Sequence, residues 1–282
     1  MNDTNFPPDA IACLTAAYPE QVTPLTHRLA EHALFEPEAL AELADYLPEG
    51  TAMAFRGDVP VDVTYGGTPR NGMTVPETIR SIATNKSWVV LKSVENHPDY
   101  GKVLDRLLAE IEAVVLPRTG PMLRREAFIF VSSPGSMTPF HFDPEHNILM
   151  QISGEKTMSV FPQDDERISP GTAHEAYQAA GDYALGWQDA FEPLGQAHVL
   201  KPGDALYVPV KAPHFVRNGS EPSISLSITW RSHWSFNEAD AHAMNAILRR
   251  AGISPGRPGR WPHRNLAKAY GYRVLRKIGA AR

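Results

Sequence analysis

AFIFVSSPGSMTPFHFDPEHNILMQISGEKTMSVFP, residues 127–162, sets three β-favouring runs side by side: AFIFVSS, HNILMQIS and KTMSVFP, parted by Pro, Gly and Asp. Four more follow downstream: HVLKPG (198–203), DALYVPV (204–210), HFVRN (214–218) and SISLSITW (223–230). In the last of these Ile224, Leu226, Ile228 and Trp230 alternate with Ser223, Ser225, Ser227 and Thr229, the two-residue period of a strand with unlike faces. Short strands at regular spacing with turn residues between them predict an antiparallel sandwich or barrel, not βαβ units. Twenty-five prolines and 20 glycines, dispersed along 282 residues, exclude a helical bundle and suit such a turn-rich fold.

Outward from this core the pattern turns helical. Upstream, helices are expected at Pro8–Ala17, at Glu36–Leu47 and from about Asp99 to Leu116, where Val103, Leu104, Leu107, Leu108, Ile111 and Val115 recur every three or four residues. Two short strands, Thr51–Phe55 and Trp88–Lys92, lie between them. Downstream, Asn237–Ala251 and Leu266–Ile278 read as helices. The chain thus divides into an N-terminal helical segment (1–50), a core (51–235) and a C-terminal helical arm (236–282).

Composition narrows the chemistry. One cysteine, Cys13, excludes an internal disulfide, a CxxC redox pair and a thiolate zinc site. With 11 histidines present, any bound metal must be held by imidazole and carboxylate. The opening MNDTNFPPDAIACL has neither the basic leader nor the apolar core of a signal peptide, and no apolar run is long enough to span a bilayer. A cytoplasmic location is the expectation. The net charge of −5 hides an asymmetry, because residues 236–282 carry ten basic side chains against Glu238 and Asp240. Residues 1–235 carry 17 basic and 30 acidic ones. Little aromatic interleaving accompanies the basic residues, so assembly is a better reading of the arm than nucleic-acid contact.

The densest chemical constellation is Thr138-Pro-Phe-His141-Phe-Asp143. On a strand, residues i and i+2 face the same way, so His141 and Asp143 could converge on one ion. His214, beyond the turn Pro202-Gly203-Asp204 and the strand Ala205–Pro209, is the leading third ligand. Two histidines and one carboxylate with open positions opposite suit a non-haem Fe(II) centre. The spacing alone fits a hydrogen-bonded His–Asp pair as well. Lys156, after the Gly154 turn, could offer a cation to a dicarboxylate or be a plain turn lysine. Thr138 and Asn147 add a hydroxyl and an amide. His146 reads as an exposed turn histidine, and His174 and His198 as surface residues. Trp230 and Trp234 read as packing residues. The long segment between Gln163 and Gln196, with Tyr177, Tyr183 and Trp187, could cover a pocket mouth.

Phe130–Asp165 and Lys201–Asn218 together resemble the JmjC-domain 2-oxoglutarate oxygenases, and most the branch that includes the asparaginyl hydroxylase known as factor inhibiting HIF. Weaker likeness runs over roughly residues 50–235. The resemblance implies a mainly β fold, a double-stranded β-helix (jelly-roll, cupin-like) core with flanking N-terminal and C-terminal α-helices. It implies Fe(II) held by His141, Asp143 and His214, with no catalytic side chain beyond these ligands. Lys156 and Thr138 would take the distal carboxylate of 2-oxoglutarate, and Asn147 would lie beside the co-substrate. Phe128 and Phe130 stand near the family's tyrosine contact without a hydroxyl, and Ser227 or Thr229 replaces an inward asparagine. The implied activity is a dioxygenase hydroxylating a protein side chain or small molecule, in a homodimer built through the C-terminal helices. Neither a membrane nor nucleic acid is expected as a partner. Two other classes stay open: a non-catalytic cupin-like module binding a metal or small carboxylate, and a zinc or manganese cupin in which His146 extends the ligand set.

Overall fold

The computed structural model of the chain describes residues 4–30, 32–63, 67–181 and 185–280. Two antiparallel sheets face each other. The larger runs β1–β9–β6–β11–β4–β3–β2, with β1 at Thr23–Thr26, β2 at Ala52–Arg56, β3 at Ser87–Leu91, β4 at Leu123–Ser132, β6 at His146–Ser153, β9 at Asp204–Val208 and β11 at Ser223–Arg231. The smaller runs β5–β10–β7–β8, with β5 at Met137–His141, β7 at Lys156–Val160, β8 at Gln196–Leu200 and β10 at His214–Asn218. The chain crosses repeatedly between sheets, which is the wiring of a jelly roll.

Among the described residues seven α-helices clothe this core: α1 (Pro8–Ala17), α2 (Pro37–Tyr46), α3 (Val75–Arg80), α4 (Pro98–Thr119), α5 (Gly171–Ala180), α6 (His233–Arg250) and α7 (Leu266–Lys277). Pro98 at the first position and the His97 ring accepting from the Asp99 N–H start α4, and Leu104, Leu107, Leu108, Ile111 and Val115 form its buried stripe. That stripe packs with α1 and α2 on the outer face of the larger sheet, against Ile129, Val131, Ile148, Met150, Leu226 and Ile228. Each such fully buried side chain stabilises the fold by about 1.5–3 kcal/mol. Among the described residues no helix is long and apolar enough to cross a membrane.

The alternation read in 223–230 is present, but its polar half does not meet water. All nine residues of β11 are buried. Ile224, Leu226, Ile228 and Trp230 join the helical core, while Ser225 donates to Gln151 Oε1 at 2.8 Å and Ser227 and Thr229 face the space between the sheets. Polar groups on a buried face need partners, and here they line a cavity.

Residues 163–195, read as a pocket cover, contain α5 and an irregular segment packed on the smaller sheet's outer face. Trp187 and Phe191 form an aromatic cluster with Phe140, Phe161 and Phe215. Tyr183 lies outside the described residues. The expected boundary at 235/236 falls inside α6, which begins at His233.

Candidate metal centre

The β6–β7 turn decides where Lys156 points. Gly154 has φ +67°, and a Cβ there would lie 2.1 Å from the Pro222 carbonyl oxygen, so only glycine permits the close approach. Lys156 then enters β7 facing inward and is 3 % exposed. It is not the turn lysine of the bland alternative. Among the described residues no carboxylate lies within ion-pair distance of it, and burial lowers its ammonium to about 7.

His141 ends β5, and Asp143 stands just beyond the strand rather than on it. The alternation nevertheless continues through the pair. Phe142 points the other way and is fully buried against the rings of His174 and Tyr177, leaving Asp143 on the His141 side. His214 opens β10 directly opposite His141, next to a register shift that turns the two imidazoles inward together. Asp143 Oδ1 lies 3.6 Å from His141 Nε2, and Asp143 Oδ2 lies 3.6 Å from His214 Nε2. One donor atom from each of the three residues falls within 4.8 Å of the others.

Backbone geometry fixes both tautomers. His141 Nδ1 donates to the Pro139 carbonyl at 2.8 Å and His214 Nδ1 to the Ala212 carbonyl at 2.9 Å. A carbonyl only accepts, so each Nδ1 carries the hydrogen and each Nε2 carries the lone pair that can ligate. Burial, and then the neighbouring His141, lowers His214 to about 4, which keeps it neutral. Asn147 steadies the carboxylate: Ser227 donates to its Oδ1 at 2.7 Å, which aims its amide nitrogen at Asp143 Oδ2, 3.4 Å away.

These residues line one cavity of about 270 Å³ between the sheets. Thr138, His141, Lys156 and His214 come from the smaller sheet, and Asn147, Ser227 and Thr229 from the larger. With Asp143 just beyond β5, all eight residues named from the sequence are therefore brought together. Phe128 and Phe130 line it as well, without a hydroxyl. The donor set fits a six-coordinate divalent metal with open positions, and the buried lysine fits the far carboxylate of a dicarboxylate co-substrate.

Three expectations fail. His146 is fully buried on the opposite face of β6 from Asn147, stacked on Trp230 and within hydrogen-bond distance of Tyr207 and Ser232. It is no turn residue, and it cannot extend the ligand set as the zinc or manganese alternative needs. His174 is not on the surface but buried in α5, bonded to Ser169. His198 is half-buried.

The cavity also holds residues that sequence reasoning missed: Lys92, Glu126 and Glu145. Glu126 was within reach, because it precedes Phe128 and Phe130 at the same two-residue period on β4. Burial raises the Glu145 carboxyl, which Arg231 at 3.9 Å partly offsets. Tyr177 of the covering segment does reach the cavity.

With this geometry in view, comparison with known proteins is specific. Residues 118–238 match the JmjC domain family. The matched stretch contains His141, Asp143 and His214. Its sequence is 35% identical over 106 residues to Jumonji C domain-containing protein 5 of Drosophila melanogaster, covering 34% of this chain and 25% of that protein. It is 33% identical over 104 residues to lysine-specific demethylase 8 of Xenopus tropicalis, covering 34% and 23%. The chain thus matches about a quarter of the length of these curated relatives. The fold is similar to that of Escherichia coli ycfD, with TM-score 0.54 and 17% identity over 95% of this chain and 67% of that one. None of these relatives is the asparaginyl hydroxylase named from the sequence, and that finer branch gains no support from them.

Proposed function

We propose that the chain is an Fe(II)- and 2-oxoglutarate-dependent dioxygenase that hydroxylates a C–H bond. The observation that carries this is the convergence of His141, Asp143 and His214 on a cavity that also contains an unpaired buried lysine. Bound Fe(II) and 2-oxoglutarate would supply the oxidising chemistry, coupling decarboxylation of the co-substrate to oxidation of the substrate. The protein's residues do the rest. The two imidazoles and Asp143 hold the metal, with Asn147 and Ser227 orienting the carboxylate. Lys156 and Thr138 take the far carboxylate and so set the direction in which the co-substrate enters. Leu149, Met158 and Val216 keep that end of the cavity dry.

The opposite side favours a cationic substrate group. Glu126, Glu145, Lys92 and Tyr177 line it; with Arg231 beside Glu145, Glu126 is the carboxylate a positively charged side chain would meet there. The Xenopus relative is named a lysine-specific demethylase, which agrees with a basic target. Purified protein given Fe(II), ascorbate and 2-oxoglutarate should release succinate, faster with lysine- or arginine-containing peptides than with acidic ones. His141→Ala and Asp143→Ala should abolish release. Turnover by either variant at the parent's rate would refute the assignment.

A further inference from the structure

The turn between β9 and β10 carries a residue in an unusual state. Lys211 has φ +62°, a left-handed conformation disfavoured for any residue with a side chain, and it is 1 % exposed. Two contacts hold it there. Its backbone N–H donates to the Asp143 carbonyl at 2.7 Å, and its ammonium meets Glu238 Oε2 of α6 at 2.6 Å, with both side chains almost wholly buried. Glu238 is held in turn by His242, whose Nε2 lies 3.0 Å from Oε1.

The position of this residue matters more than the ion pair itself. Lys211 stands three residues before His214, and its N–H reaches the main chain of Asp143. One residue therefore joins two segments that each present a ligand, and its side chain fastens both to a helix outside the sheets. A buried ion pair is a poor source of net stability but a strict geometric constraint. Ligand atoms need to be placed to within a fraction of an ångström, and groups behind the ligands set that placement.

We propose that Lys211 is a positioning residue for the metal centre, bracing the Asp143 and His214 segments against Glu238 of α6. The inference rests on the reading of His141, Asp143 and His214 as metal ligands. Lys211 touches neither metal nor co-substrate in this role. Its effect passes through the main chain of Asp143 and the turn that leads to His214.

The test uses Co(II) as a spectroscopic probe on the full chain, following its visible absorption during titration. The double variant Lys211→Met/Glu238→Gln removes both charges while keeping side-chain volume and an amide for His242. Expected is metal affinity weaker by ~10- to 100-fold with an altered absorption band, while thermal unfolding of the metal-free protein stays within a few degrees of the parent. Lys211→Arg, which keeps the cation, should recover most of the affinity. Should the double variant fail to fold, Glu238→Asp keeps the charge but withdraws the carboxylate by one carbon. It should weaken Co(II) binding several-fold without changing the fold. Parent-like affinity and spectrum in the folded double variant, or in Glu238→Asp, would overturn the positioning role. Failure of the parent itself to bind Co(II) would instead remove the ligand reading beneath it.

Discussion

His141 and His214 share one device: each ring gives its Nδ1 hydrogen to a carbonyl two residues upstream, so that both Nε2 atoms arrive as acceptors. Asn147→Ala should therefore act only on the third ligand, by freeing the Asp143 carboxylate. Weakening of Mn(II) binding by ~10-fold is expected, measurable by paramagnetic resonance. Lys156 gives a pH dependence with a definite sign. Burial lowers its ammonium from the usual 10.5 to about 7, so it is cationic below that pH and neutral above it. Affinity for 2-oxoglutarate should fall as pH rises from about 7 toward 9, by up to ~tenfold per unit, and Lys156→Met should be weak and flat throughout. At this scale the sequence was most legible where chemistry and spacing coincided, as in His141, Asp143, Lys156 and His214. It misled at His146, whose environment is made by Tyr207, Trp230 and Ser232, residues 61 to 86 positions away. No local pattern carries that information.

Among the elements, β11 shows how a strand's alternation can be read correctly and its meaning still be incomplete. The sequence showed only that the serine and threonine face differs from the apolar one; it is the inner wall of the cavity, satisfied by Gln151 and Asn147 across the strand. Only the second sheet, placed over it by the fold, makes that face interior. β5 and α5 are coupled in a similar way, through Phe142 packed against His174 and Tyr177. Phe142→Ala should cost about 3–5 kcal/mol in denaturant unfolding and should loosen the contact that sets Tyr177 at the cavity. Helix legibility was uneven: α1 matches its expected span and α7 ends one residue early, whereas α6 begins four residues before its expected start and α3 and α5 were not foreseen. The apolar periodicity and starting prolines of the foreseen helices are local signals, which is why they survive without tertiary information.

On the scale of the whole molecule, the basic C-terminal arm is bound into the body rather than appended to it. Arg260 bonds Glu20 and the Val210 carbonyl, Arg257 bonds Glu166 and the Gln163 carbonyl, and Glu238 holds Lys211. Three of the arm's ten basic residues, Arg249, Arg257 and Arg260, thus pair with body carboxylates, while Glu238–Lys211 runs the other way. On α6, Met244, Ile247 and Leu248 are only half-exposed, with Met244 under Gly271 of α7. The exposed stripe lies instead on α7, where Leu266, Tyr270, Val274 and Ile278 recur every fourth residue at 44% to 69% exposure. We propose that this face meets a second copy in a homodimer. Val274→Glu with Ile278→Glu should sediment as a folded monomer; a dimer as stable as the parent's would exclude that face.

Calorimetric titration of 2-oxoglutarate into the purified protein, with and without Mn(II), tests the metal and co-substrate reading most directly. Binding should require Mn(II), disappear in Asp143→Ala and weaken in Lys156→Met. Binding of equal strength without the metal, or in Asp143→Ala, would contradict a metal-anchored co-substrate in this cavity.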